Sequence, residues 1–74
     1  MKVKRGIENK VKRLVTDASD HNDITFNWYG EAYRVSFVID NSGEIPEWTG
    51  SIKVYRQIEE ENRELYVGTV KDLI

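Results

Sequence analysis

The chain has no cysteine, one proline, one histidine and one methionine, and the shortages exclude several classes of protein. Without cysteine there is no disulfide staple, no thiolate zinc site and no cysteine nucleophile, so stability must come from packing. Seventy-four residues supply one small core and leave no room for a second, so residues 1–74 are expected to form a single domain. At this size packing leaves a net of only about 3–5 kcal/mol, and a homodimer that buries further apolar surface is a second route to stability.

Glycine is sparse and scattered, at positions 6, 30, 43, 50 and 68, so neither G-x-G-x-x-G nor G-x-x-x-x-G-K-[ST] can be written. Phosphate loops of the common kinds are excluded. The single histidine, His21, rules out H-E-x-x-H and other multi-histidine metal sites. Asp17, Ser19, His21 and Asp23 imitate the alternating ligands of a calcium loop. Asn22 stands where that loop needs glycine, however, and Trp28 stands where it needs a bidentate glutamate. No metal and no cofactor is expected. Long hydrophobic runs are also missing: the longest is Phe37, Val38 and Ile39, far below the roughly 20 residues of a membrane-spanning helix. The basic start lacks the apolar stretch of a secretory leader, and the expectation is a cytoplasmic protein that does not engage a membrane.

The net charge of −2 conceals a gradient. Residues 1–13 carry six Lys or Arg against Glu8, a balance of +5, whereas residues 14–74 carry five against twelve acids, a balance of −7. The expected molecule has a basic end and an acidic body.

Val3, Ile7, Val11, Leu14, Val15 and Ala18 recur at helical spacing and predict an N-terminal amphipathic helix. Its polar side carries Lys2, Arg5, Lys12 and Arg13, which could neutralise phosphates in a sequence-blind, salt-sensitive way or simply be solvated. Gly6 lowers helix stability by about 1 kcal/mol relative to alanine, so the regular helix is expected from Ile7, with residues 1–5 a loose basic arm. Residues 17–23 (DASDHND) are turn formers that end the helix, and His21 among them reads as an exposed loop residue and not as a general base.

From Ile24 the apolar period becomes two. Ile24, Phe26 and Trp28, then Tyr33, Val35, Phe37 and Ile39, predict a hairpin. A type II′ turn at Gly30 and Glu31 would pair Tyr29 with Ala32, Trp28 with Tyr33, Phe26 with Val35 and Ile24 with Phe37. Residues 40–50 read as a connector, with Trp48 folding back to cap the core. A second hairpin runs over residues 51–58 and 64–70. Centring its bend on Glu61 and Asn62 pairs Ile58 with Leu65, Val54 with Thr69, Gln57 with Tyr66 and Tyr55 with Gly68. Arg56 then points with the aliphatic face and must leave it at the margin.

Helix first and strands after predict an α+β fold, with the N-terminal amphipathic helix packed on one face of an antiparallel sheet of about four strands, in two hairpins. The covered face is expected to carry Ile24, Phe26, Trp28, Tyr33, Val35, Phe37, Ile52, Val54, Ile58, Leu65 and Val67. One helix can roof only one side, so Tyr29, Tyr55 and Tyr66 beside Arg34 and Lys53 should form an aromatic and cationic patch on the open side. That composition suits protein hot spots and also base stacking. The expected function is a small non-catalytic protein-binding module, regulatory or inhibitory, acting through the open sheet face or an edge strand. The alternative is a nucleic-acid-binding domain using the basic helix or the tyrosine face. A metal-free enzyme built on Lys53, Tyr55 and Arg56 is disfavoured because alternation sends Arg56 to the other face.

Overall fold

A computed structural model describes residues 3–74 of the chain. Helix α1 spans Arg5–Asp17, followed by strands β1 (Ile24–Trp28), β2 (Glu31–Asp40) and β3 (Glu47–Ile58), a 3-10 turn at Glu59–Glu61, and β4 (Arg63–Val70). The strands form one antiparallel sheet in the order β1-β2-β3-β4, so each strand pairs with its sequence neighbour. The α+β architecture expected from the sequence is the one observed.

Helix α1 lays Val3, Ile7, Val11 and Val15 against Tyr33, Val35, Phe37, Ile52, Val54 and Val70, and these ten residues are the buried core. The helix begins two residues earlier than expected and takes in Gly6. The reason is tertiary: a Cβ at Gly6 would lie 2.7 Å from Cζ2 of Trp28, so the indole occupies the space a side chain would need. Of the basic arm expected at residues 1–5, Lys2 lies outside the described residues, and Arg5 is helical.

The first hairpin exists, in a register two residues from the expected one. Ile24 faces Val35, Phe26 faces Tyr33 and Trp28 faces Glu31, leaving Tyr29 and Gly30 as the two-residue turn. Both have positive φ, at 49° and 80°, the signature of a type I′ turn. A slip of two preserves which side chains face the helix, so the apolar pattern alone could not separate the two registers. Phe26 and Tyr33 stack at 5.3 Å, a cross-strand pair that this register creates.

Nearly half of the stretch left as a connector is strand. β2 runs to Asp40 and β3 starts at Glu47, directly after Pro46, where a missing N–H does little harm. The pairing shifts between Phe37 and Ile39, where a bulge inserts extra residues on β3. Gly50 sits in that bulge with φ at 86°, and Thr49 Oγ1 donates to the Val38 carbonyl at 2.9 Å. Trp48 caps one end of the core as expected, edge-on to Phe37 at 5.3 Å, with its Nε1 donating to the Ser51 carbonyl at 2.8 Å. The exposed His21 packs its ring against both Phe37 and Trp48 at about 5 Å, which gives this loop residue a packing role.

The second hairpin also departs from its expected register. Ile58 faces Arg63, Gln57 faces Glu64, Arg56 faces Leu65 and Tyr55 faces Tyr66; then a bulge at Val67 shifts the pairing, so that Val54 faces Gly68 and Ile52 faces Val70. Beyond the bulge the residues of β4 that face the helix are reversed: Val70 enters the core and Thr69 turns outward opposite Lys53. Leu65, before the bulge and opposite Arg56, keeps the helix side but is 40% exposed. The expected cover of Gly68 by Tyr55 is absent, since the two residues are not paired. Arg56 does leave the apolar face at its margin: its Nη2 lies 3.1 Å from Glu31 Oε1, while Glu31 Oε2 accepts from the Tyr33 hydroxyl at 3.0 Å.

Candidate functional site: the open sheet face

Helix α1 covers one side of the sheet, and the alternation of the strands sends a second set of side chains to the other. On β2 these include Arg34 and Ser36, on β3 Lys53, Tyr55 and Gln57, and on β4 Glu64, Tyr66 and Thr69, positions that face one another in the observed registers. Arg34 organises the group. Its Nε and Nη2 donate to Glu64 Oε2 and Oε1 at 2.7 and 2.9 Å, a two-pronged pairing, and its Nη1 donates to Asp23 Oδ2 at 2.7 Å. To reach Glu64 on β4 from β2, the side chain crosses β3, and its guanidinium carbon lies 4.6 Å from the centre of the Tyr55 ring.

Gln57 Nε2 adds a donor to Glu64 Oε2 at 3.4 Å. Tyr55 and Tyr66 sit side by side at 5.7 Å with their planes tilted by 58°, and the Tyr66 hydroxyl is hydrogen-bonded to Thr69 Oγ1. Tyr66 remains 47% exposed.

The electrostatics follow from these contacts. Hydrogen bonding to Glu64, and then to Asp23, raises the Arg34 pKa further above its ordinary value. The same contact with Arg34 holds the Glu64 carboxyl below the usual carboxylate range, with Gln57 assisting. A carboxyl whose folded pKa is depressed contributes stability above its unfolded value and loses that contribution as pH falls through the folded one. Glu64 is therefore expected to add to the loss of thermal stability as pH falls below the ordinary glutamate value of about 4.3, and Glu64→Gln to flatten that acid limb. Melting temperatures measured across the range check this; parallel profiles for the two proteins would contradict it.

Four of the five side chains expected to make the patch, Arg34, Lys53, Tyr55 and Tyr66, are on the open face. The fifth is elsewhere: Tyr29, expected on the strand, is in the β1–β2 turn, 90% exposed and packed edge-on against Trp28 at 5.0 Å. The cationic character expected of the patch is also reduced, because Arg34 is neutralised by two carboxylates. Sequence reasoning missed Asp23 and Glu64 as members of the cluster. Glu64 lies thirty positions from Arg34 in the chain, and no local signal connects them.

The alternative basic surface lies on α1. Arg5, Lys12 and Arg13 are exposed, with Lys12 Nζ paired to Glu8 Oε1 at 3.3 Å. Among the described residues no three His, Asp or Glu side chains are grouped to hold a metal ion, and no helix is long and apolar enough to cross a membrane. No family model matches the chain, and no curated protein or solved structure is significantly similar to it.

Proposed function

We propose that the protein is a small non-catalytic binding module that recognises another protein through the open face of its sheet. One observation carries the reading: Arg34, at the centre of that face, is occupied by Glu64 and Asp23 and laid over Tyr55, which leaves Lys53 as the basic side chain of the patch without an ion pair among the described residues. The result is a flat, nearly charge-compensated surface of tyrosine and hydrogen-bonding groups. A polyanion needs uncommitted cations to release its counterions, whereas a protein surface is met well by rigid aromatics with polar rims. Tyrosine contributes large contact area at small entropic cost, because only two torsions must be fixed.

The reading is tested by capture from an extract of the native cell, followed by binding of the purified captured protein to Tyr55→Ser/Tyr66→Ser and to Arg5→Glu/Lys12→Glu. The expected result is a nuclease-resistant complex that the tyrosine variant weakens at least tenfold, or about 1.4 kcal/mol, and the helix variant leaves unchanged. Capture that disappears with nuclease, or that follows the helix variant, would transfer the function to nucleic acid and the basic helix.

A further inference from the structure

The two edges of the sheet are built differently. β4 carries a bulge at Val67 and the charged residues Arg63 and Glu64, all devices that discourage a further strand from pairing. β1 has none of these: its sequence is Ile-Thr-Phe-Asn-Trp, with no charge, no proline and no bulge in its pairing to β2. About 17 Å of regular edge is left open, at roughly 3.4 Å per residue. In a two-residue hairpin the residues flanking the turn form a hydrogen-bonded pair, and the pairs then alternate. Trp28, Phe26 and Ile24 therefore spend their backbone groups on β2, while the N–H and C=O of Thr25 and Asn27 point away from the sheet.

The helix-facing side of this edge is incompletely covered. Ile24, Phe26 and Trp28 are each only partly buried, whereas Tyr33, Val35 and Phe37 on β2 are buried. Helix α1 lies along the same edge, since Gly6 abuts Trp28 and a short loop returns from Asp17 to Ile24. Lys10 and Arg13, four and seven positions beyond Gly6, share its stripe of the helix. Neither has an ion-pair partner among the described residues. Only Asp17, at the far end of the stripe, offsets them.

We propose that β1 accepts an extended segment of a partner protein as a fifth strand, with apolar side chains entering the gap beside Phe26 and Trp28 and acidic side chains meeting Lys10 and Arg13. This rests on the reading of the domain as a protein-binding module and places a second contact on a different surface. The same charges argue against a second copy as occupant: pairing β1 with β1 about a two-fold axis would gather the cationic stripes of two helices along one seam.

The test uses the full chain and a blocked nonapeptide with threonine at every second position and valine and glutamate by turns at the positions between, so that both types share one face of the strand, with a peptide carrying lysine in place of glutamate as control. Binding is expected to shift the amide resonances of Thr25 and Asn27 and slow their hydrogen exchange. Lys10→Glu/Arg13→Glu, at helix positions outside the core, should weaken the complex about threefold to tenfold, the range of one or two exposed ion pairs. Thr25→Pro removes one outward N–H and should weaken it independently; if that variant fails to fold, the helix variant still decides. Tyr55→Ser/Tyr66→Ser should leave this affinity unchanged, which separates the edge from the open face. The proposal is overturned by no binding at about 1 mM peptide, by equal binding of the lysine peptide, by shifts confined to β4 or the open face, or by protection of Thr25 and Asn27 that rises with protein concentration alone.

Discussion

Ile52→Ala should leave the chain largely unfolded, or within about 1–2 kcal/mol of unfolding, at 25 °C. Ile52 has no exposed surface, faces Phe37 on β2 and Val70 on β4, and belongs to the layer under α1. Truncating a buried isoleucine costs about 2–5 kcal/mol, because the transfer free energy of the lost methyl and methylene groups is joined by the cost of the cavity. A cysteine-free domain of this size has only about 3–5 kcal/mol to lose. Ile45→Ala supplies the contrast, for Ile45 is 75% exposed in the loop after β2 and its truncation should stay within about 0.5 kcal/mol. Urea unfolding followed by far-ultraviolet circular dichroism measures both. A cooperative transition for Ile52→Ala at the parent's midpoint would show that the core is not where the packing places it.

The second large effect is expected at Gly6, where local and tertiary reasoning predict opposite signs. In an isolated helix Gly6→Ala would be favourable by about 1 kcal/mol. In the folded domain the added Cβ would stand 2.7 Å from Cζ2 and 3.0 Å from Cη2 of Trp28. These are atoms of a rigid ring that packs against the core and cannot swing aside like the end of a flexible chain. Overpacking of this kind costs about 1–3 kcal/mol, so the variant should be net destabilised although its helix is intrinsically better. Combining Gly6→Ala with Trp28→Leu should recover part of the loss, and the coupling in that double-mutant cycle isolates the contact. A melting temperature for Gly6→Ala equal to or above that of the parent would mean that α1 does not press on Trp28.

Much of the architecture could be read before any coordinates. The four-and-three spacing of Val3, Ile7, Val11 and Val15 specified both the helix and its buried side. The alternation around Tyr33, Val35 and Phe37 specified the covered face of the sheet in the same way. These readings are robust because burial selects for period, and period is written locally. The sequence also carried a hint that went unused. A glycine inside a strand often marks a bulge, and Gly68 directly follows the bulge at Val67.

What escaped was everything that depends on counting residues across strands or on long side chains meeting at a distance. The turn at Tyr29 and Gly30 and the expected turn one residue later both have glycine where a positive φ is needed, and they differ by a register that leaves the faces unchanged. Packing of the whole sheet against the helix had to choose between them, and its choice moved Tyr29 off the open face. The single extra residue at Val67 delivered Val70 to the core and turned Thr69 outward.

The sequence by itself thus determined one amphipathic helix, an antiparallel sheet and a face left without a roof. Each follows from a repeat that is short compared with an element. The tertiary structure alone decided that Arg34 reaches over Tyr55 to Glu64, and that the unguarded edge is β1. Both depend on which strands become neighbours and in what register, and no local period encodes that.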